Sequence, residues 1–286
     1  MLDVSVVVPA RNAEALLDDC LRSITEAEPC ELIVVDGLST DGTVAIARRH
    51  GARVISDEGQ GLPVARLLGA RASRSARVAL IDADVVLPSG SLQRLLDEFH
   101  RGRFVALQAG LHSVSGEGYW GRALAHHHRN GRSKAWFGLV ATVFDRQALL
   151  RYGFDARFES GEDIELRWRL QRAGAAIGVS TETTVIHRFP DSFEFAKAQF
   201  LADGHGLARM IILKRSMRSL ALLALPGVAA ARGVALSLIT GQPHWTRYYL
   251  AFAAYNYVGM AREMIQSVRA GQTSPQGADL PSQEPA

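Results

Sequence analysis

At 286 residues the chain can hold one large domain, or one domain plus an appendage. Apolar residues make up 48% and charged residues 21%, which excludes general disorder, and a net charge of +3 is too small to point to nucleic acid by itself. Cys20 and Cys30 form neither a disulfide framework nor a metal-type pair, which fits a reducing compartment, and the apolar run from Val4 has no basic leader or cleavage site to suggest a secretory signal.

The N-terminal half alternates short β-branched runs with helical patterns. Strands are predicted over 4–10 (VSVVVPA), 31–37 (ELIVVDG), 52–57 (ARVISD) and 77–84 (RVALIDAD). Helices are predicted over 13–24, 39–51 and 62–73, the second opening on a Ser/Thr/Asp cap and closing at Gly51. Strand and helix in alternation imply βαβ units and a parallel sheet covered on both faces. Ligands of such sheets bind outside the carboxyl ends of the strands. Asn12, Asp36, Asp82 and Asp84 all fall at or just past such ends and should converge on one rim.

The middle is less regular. A helix is expected over 89–102, a strand over 103–114, a strand then a helix over 137–153, a helix over 160–174 and an extended run over 175–187. SGEDIELRWRLQRAG opens on a cap-like Ser with acids in its first turn, as a helix N-terminus requires. The run His126-His127-His128 reads as exposed polar sequence, because adjacent helical residues point different ways.

After His187 the character changes. Residues 191–215 suit an amphipathic helix carrying Arg and Lys. SLALLALPGVAAARGVALSLIT (219–240) is long enough to span a bilayer, but Pro226 and Gly227 interrupt it and Arg232 lies inside it. A broken helix pair, lying in an interface or packed on the preceding domain, is expected instead. From Leu201 to Leu250 six basic residues (Arg209, Lys214, Arg215, Arg218, Arg232, Arg247) face one acid, Asp203, beside Trp245, Tyr248 and Tyr249. That bias suits an anionic membrane surface. The Pro/Gly/Ser/Gln-rich end reads as a disordered tail.

The stretch ALIDADVVLP (79–88) ends an apolar run on two carboxylates separated by Ala83. Two residues apart on a strand they would point the same way and repel, unless a divalent cation lay between them. Alternatively both end the strand in a turn.

Five stretches taken together resemble family 2 glycosyltransferases of the GT-A fold: VSVVVPARNAE, LIVVDGLSTDGT, GLPVARLLGA, LIDADVVLP and FESGEDIELRWRLQRAG, in that order, over roughly residues 4–190. The resemblance implies an α/β fold with a Rossmann-like, mostly parallel sheet, followed here by a C-terminal apolar helical segment. It implies a catalytic domain over 1–190, with a nucleotide-sugar half over 1–98 and an acceptor half over 99–190. Helices over 191–268 and a tail over 269–286 would follow.

Asp82-Ala83-Asp84 matches that family's DxD motif, which holds Mg2+ or Mn2+ on the diphosphate of the donor. Asp84 would be the direct ligand, and Asp82 would contact ribose or a metal-bound water. Pro9, Ala10, Arg11, Asn12 and Glu14 match its first nucleotide-contacting loop. Asp36 matches the base-binding position, where an acceptor suits uracil and guanine alike. Arg66 is similar to a position near the diphosphate. Glu162-Asp163 matches the ED motif, with Asp163 as general base and Glu162 binding or orienting the acceptor; Glu165 departs from the family's usual Asp. His187 stands where some relatives have a further metal ligand. Trp136, Phe137 and Gly138 would form an acceptor platform.

The resemblance thus implies an inverting, metal-dependent transfer from a UDP- or GDP-sugar to an acceptor hydroxyl or phosphate. The apolar C-terminal region favours a lipid-linked or glycan acceptor of the cell envelope, at the cytoplasmic face of a membrane, with no nucleic-acid partner. A nucleotidyltransferase would need a Gly-rich phosphate loop where PARNAE stands. An inactive sugar-nucleotide-binding scaffold would not require both acid motifs. GxxxxGK does not occur, and the one GxGxxG, GEGYWG (116–121), lies mid-chain, away from the first βα turn.

Overall fold

The computed structural model describes residues 1–130, 137–155, 157–158 and 160–273, with side chains as far as Arg269. The first half follows the expected alternation: β1 (Leu2–Ala10), α1 (Glu14–Glu26), β2 (Pro29–Asp36), α2 (Thr43–Arg49), β3 (Arg53–Ser56), α3 (Leu62–Ala72) and β4 (Arg77–Ile81). Next come β5 (Val85–Val86), α4 (Ser91–Arg101), β6 (Ala106–Ser115), α5 (Tyr119–Asn130), β7 (Ala141–Asp145), α6 (Arg146–Tyr152), α7 (Glu162–Arg172) and β8 (Ile177–Phe189).

The strands form one sheet in the order β3-β2-β1-β4-β7-β6-β8-β5. The four strands of the first half are parallel, but β7 runs antiparallel to both β4 and β6, and β5 antiparallel to β8. The sheet is therefore mixed beyond β4. The reason is topological: β6 ends on the rim, α5 lies at that end, and the chain returns downward as β7 without the crossover that a parallel neighbour needs.

The period-two pattern sorts each strand between two cores. Val4, Val6, Val8, Val34, Ala79 and Ile81 face α1, α2 and α4. Val7, Ile33, Val35, Val78 and Leu80 face α3, α6 and α7. Both faces are covered, which is why these strands read as continuous apolar runs.

The C-terminal helices are α8 (Phe193–Lys214), α9 (Met217–Leu220), α10 (Leu225–Ile239) and α11 (Thr246–Thr273). They pack on the sheet domain: Ala196 and Phe200 of α8 join Ala123 and Leu124 of α5 with Tyr248 and Tyr249 of α11. Leu207, Met210 and Ile211 join Ile164 of α7 and Met260 of α11. The apolar run is broken as expected, since a 3-10 turn over Ala221–Ala224 separates α9 from α10 and Pro226 sits in the first turn of α10. By length and composition Met217–Ile239, with mean hydropathy 1.8, could cross a membrane. α11 continues past residue 268, where the tail was expected to begin, to Thr273. The rest of that expected tail, 274–286, lies outside the described residues.

Candidate active site

The carboxyl ends of β1 to β4 form one rim. Register places Ala10 opposite Asp36 and Asp36 opposite Ser56. Pro9 and Ala10 are buried at the end of β1, and Arg11 is exposed beyond them. Asn12 takes a left-handed conformation (φ 49°), which Asn tolerates better than most residues. Its Oδ1 accepts from Thr40 N at 2.9 Å and its own N donates to Ser39 Oγ at 3.0 Å. Glu14 Oε2 accepts from Gly42 N at 2.6 Å. Asp36 is buried, and both its oxygens accept from Ser39 N at 3.2–3.3 Å. The first two βα loops are thus pinned to each other through their side chains.

Sequence reasoning missed Asp57. It is buried just past β3 and accepts from Gly59 N at 2.8 Å and Gly61 N at 3.1 Å, so it shapes the loop that leads into α3. The signal was present in DEGQG, an aspartate followed by glycines right after a strand.

The two acids of Asp82-Ala83-Asp84 do not share a strand face. β4 ends at Ile81, and Asp82–Asp84 fold into a turn closed by Val85 N donating to Asp82 O at 3.1 Å. That corrects the strand-pleat expectation: the two carboxylates have different partners. Asp82 Oδ1 accepts from Arg66 Nη2 at 2.9 Å. Asp84 Oδ2 lies 3.3 Å from Nε2 of His187, because Val85 pairs with His187 across β5 and β8. Asp84 Oδ1 is buried and has no hydrogen-bond partner among the described residues, and the same is true of His187 Nδ1. Ala83 spans the two acids, half-buried.

Arg66, on α3, is 2% exposed. Its Nη1 donates to Glu162 Oε1 at 2.7 Å while its Nη2 holds Asp82, so one guanidinium joins the Asp82–Asp84 turn to the start of the helix that carries Glu162 and Asp163. A buried guanidinium is tolerable only with such partners. Burial pushes the Asp82 and Glu162 carboxyls above their ordinary range, and Arg66 pulls both back.

Glu162 and Asp163 open α7. Asp163 is half-buried in the first turn, where the helix N-terminus favours an anion. That end is set against α8 by close backbone contact: Gly161 has φ 80°, and a Cβ on it would stand 3.0 Å from the Cα of Gly206. Ser160 Oγ donates to Ala202 O at 2.8 Å. Glu165, the departure from the family pattern, is 1% exposed and bound to Arg169 at 2.7 Å and Lys214 at 2.6 Å. It ties α7 to the end of α8 and stands apart from the site.

Two expectations about aromatic and histidine residues are corrected. Phe137 is 2% exposed and packs edge-on against Phe144, so its ring belongs to the core beneath the sheet and offers no platform to an acceptor. Gly138 N donates to Gln108 Oε1 at 2.7 Å, and Trp136 lies outside the described residues. The His126–His128 run is not exposed polar sequence, because it forms the last turns of α5 under the C-terminal helices. His127 lies among Tyr248, Tyr249 and Phe252, and His128 against Phe189, with its ring 6.3 Å from that of His187. Burial holds His127 down at about 4 and His128 well below the ordinary imidazole range. GEGYWG is no phosphate loop, since the amides of Gly118 and Gly121 are both taken by the Asp191 carboxylate.

The site therefore gathers Asp82, Asp84, His187, Arg66, Glu162 and Asp163 at the rim, with α8 along the side of α7. The fold matches that of the mannosyltransferase PcManGT of Pyrobaculum calidifontis, solved with GDP-Man and Mn2+, at a TM-score of 0.65 and 20% identity over 92% of this chain and 87% of that one. Glucosyl-3-phosphoglycerate synthase of Mycobacterium tuberculosis, solved with Mn2+, UDP and glucosyl-3-phosphoglycerate, matches at a TM-score of 0.52 and 23% identity over 73% and 78%. The succinoglycan biosynthesis protein ExoA of Rhizobium meliloti is 28% identical over 82% of this chain and 78% of its own length. An uncharacterised glycosyltransferase of Mycobacterium tuberculosis is 37% identical over 35% of this chain, a match spanning 44% of that protein's length. Residues 5–158, more than half of the sequence, match the family described as Glycosyl transferase family 2, and the chain belongs to that family.

Proposed function

We propose that the protein is an inverting glycosyltransferase that moves a sugar from a nucleoside diphosphate to an acceptor hydroxyl, with Asp163 as general base. The observation that carries this reading is the single buried guanidinium of Arg66 held by Asp82 and Glu162. It fixes the donor-side turn and the acceptor-side acids as one rigid unit, which direct displacement requires. Asp163 takes the proton from the acceptor hydroxyl while that oxygen bonds the anomeric carbon. The bond from that carbon to the phosphate oxygen breaks, and the diphosphate leaves with the electron pair. Glu162, bound to Arg66, positions the start of α7. Asn12, Asp36 and the loop that Asp57 shapes would line the nucleotide.

The residues fit a divalent metal. Asp84 has a buried oxygen without a partner among the described residues, and the imidazole of His187 stands beside its other oxygen. Among the described residues no group of three or more His, Cys, Asp or Glu could hold a metal alone. A site that takes one or two carboxylates plus substrate phosphates needs no such group. Bound there, Mg2+ or Mn2+ would neutralise charge on the departing diphosphate.

The acceptor is proposed to be lipid-linked or part of an envelope glycan, reached at the cytoplasmic face of a membrane. Met217, Val228, Leu238 and Ile239 are between 59% and 81% exposed on α9 and α10, with Arg215, Arg218 and Arg232 exposed on the same segment. Apolar side chains flanked by basic ones suit an anionic lipid surface.

The test is calorimetric titration with UDP-, GDP- and TDP-sugars, with and without Mn2+ or Mg2+, on wild type, Asp84→Ala and Asp163→Asn. Metal-dependent binding of one donor, lost in Asp84→Ala and kept in Asp163→Asn, is expected, with Asp163→Asn unable to transfer. Binding independent of metal, or binding of no donor by the folded protein, would return Asp82 and Asp84 to turn residues and favour the scaffold reading.

A further inference from the structure

α8 and α11 cross closely because glycines stand at the crossing. A Cβ on Gly204 would collide with Asn256 O, and one on Gly259 with Leu201 O. Beside this crossing, the two helices and the turn before α7 enclose a cavity of about 330 Å3, lined by Ser160, Ala202, His205, Gly259, Arg262 and Gln266. Its volume is that of a small-molecule site. Ser160 is fixed on its wall, since its Oγ donates to Ala202 O at 2.8 Å. Asp163 follows Ser160 by three positions, so their Cα atoms lie within about 11 Å of each other. The cavity therefore adjoins the acceptor side of the site.

The polar groups on the wall lack partners. Arg262 and Gln266 stand one turn apart on α11, and neither makes a hydrogen bond or ion pair with any described residue. His205 is held from the opposite side of its ring: Nδ1 lies 3.1 Å from Glu263 Oε2, while Nε2 has no partner among the described residues. Glu263 is 1% exposed, and Arg209 also holds it, at 2.9 Å. Its negative charge is thus matched within the helix pair, and the Arg262 guanidinium on the cavity wall has no counter-charge among the described residues. Packing two helices does not call for such a group, because apolar side chains would close the interface without the cost of burying Glu263.

We propose that this cavity binds a phosphate ester carried by the acceptor. The forked guanidinium of Arg262 is the counter-ion and suits two phosphate oxygens at once. The Gln266 amide adds a donor, and His205 offers Nε2, its ring oriented by Glu263. A neutral acceptor would leave the Arg262 charge unmatched. With the phosphate on Arg262, a hydroxyl of the same molecule reaches Asp163 across a distance that one sugar phosphate spans. This inference rests on the reading of Asp163 as the base, and it narrows the acceptor to one whose reacting unit carries a phosphate.

The experiment titrates glucose 1-phosphate, citronellyl phosphate, octyl glucoside and inorganic phosphate into the full chain, without nucleotide or metal. Wild type, Arg262→Met, Arg262→Lys and Gln266→Leu are compared. At least one of the two esters should bind wild type and lose about tenfold or more in Arg262→Met, with partial recovery in Arg262→Lys, which keeps the charge but not the fork. Gln266→Leu should cost about threefold. Both positions are exposed, so the thermal stability of the variants should match wild type. Whichever ester binds tighter tells whether sugar or lipid carries the phosphate. Equal ester affinity in wild type and Arg262→Met, no ester binding, octyl glucoside binding as tightly as the esters, or inorganic phosphate binding as tightly as the esters would each overturn the proposal. Failure of every nucleotide sugar to bind would strike the donor reading alone, because these titrations contain none.

Discussion

Nε2 of His187 lies 3.3 Å from Oδ2 of Asp84, although 103 positions separate them in the chain. The pairing of β5 with β8 makes this contact, and Arg188 reinforces it by donating from its N to Asp84 O at 3.1 Å and from Nη1 to Asp19 of α1 at 2.8 Å. If these two side chains hold the metal, Asp84→Ala should weaken Mn2+-dependent nucleotide binding by on the order of 100-fold and His187→Ala by about tenfold. His187→Ala should also reduce any preference for Mn2+ over Mg2+, because imidazole suits the softer ion better. Calorimetry with each metal checks both outcomes, and equal losses with the two metals would remove His187 from the metal.

Arg66→Met should be among the most destabilising single changes. It leaves Asp82 and Glu162 buried without their shared cation, and breaking a buried pair from one side costs roughly 3–5 kcal/mol. Urea unfolding monitored by circular dichroism measures this. A loss below about 1 kcal/mol would mean that the two carboxylates find water or each other's proton instead.

Gly206→Ala should cost about 1–3 kcal/mol and transfer activity together. Its Cβ would stand 2.9 Å from backbone atoms of Ser160 and Gly161, so α8 must move away from the start of α7. The informative comparison is donor affinity, which should stay near wild type while turnover falls. Parallel loss of both would indicate general unfolding.

His127 gives a pH signature. Its folded value of about 4 lies below the 6.5 of a free imidazole, chiefly through burial, so between those values the unfolded chain binds more protons than the folded one. Stability that this group contributes at pH 7 is therefore lost as pH falls from about 6.5 to about 4, amounting to roughly 3 kcal/mol. Carboxylates also titrate over part of this range, so wild type alone would blur the effect. The difference between wild type and His127→Phe isolates it: acid should destabilise wild type more than the variant. A pH-independent difference would refute the assignment.

Leu238→Asp/Ile239→Asp should reduce sedimentation with phosphatidylglycerol vesicles by at least about tenfold, and raised salt should weaken wild-type binding. Both side chains are exposed and lie outside the cores, so the soluble fold and nucleotide binding should be unchanged. Sedimentation equal to wild type would count against this face as the membrane contact.

Much of this architecture was legible in the residues. Val4 to Val8, Ile33 to Val35 and Val78 to Ile81 are short apolar runs separated by helical patterns, and local spacing is enough to set strand, helix and the rim where acids cluster. The break at Pro226 was equally local. What failed was long-range. Phe137 and the His126–His128 run were misread because burial depends on which element lies above a residue, and α5 sits under helices that come much later in the chain.

The sequence by itself determined the parallel half of the sheet, the chemical nature of the rim and the identity of its acids, because backbone period and side-chain type are local properties. Only the tertiary structure decided that Asp82 belongs to Arg66 and Asp84 to His187, and that Glu165 braces a helix. Those pairings arise where a strand returns beside a turn and where two glycines let helices touch, and no spacing along the chain encodes distances across such contacts.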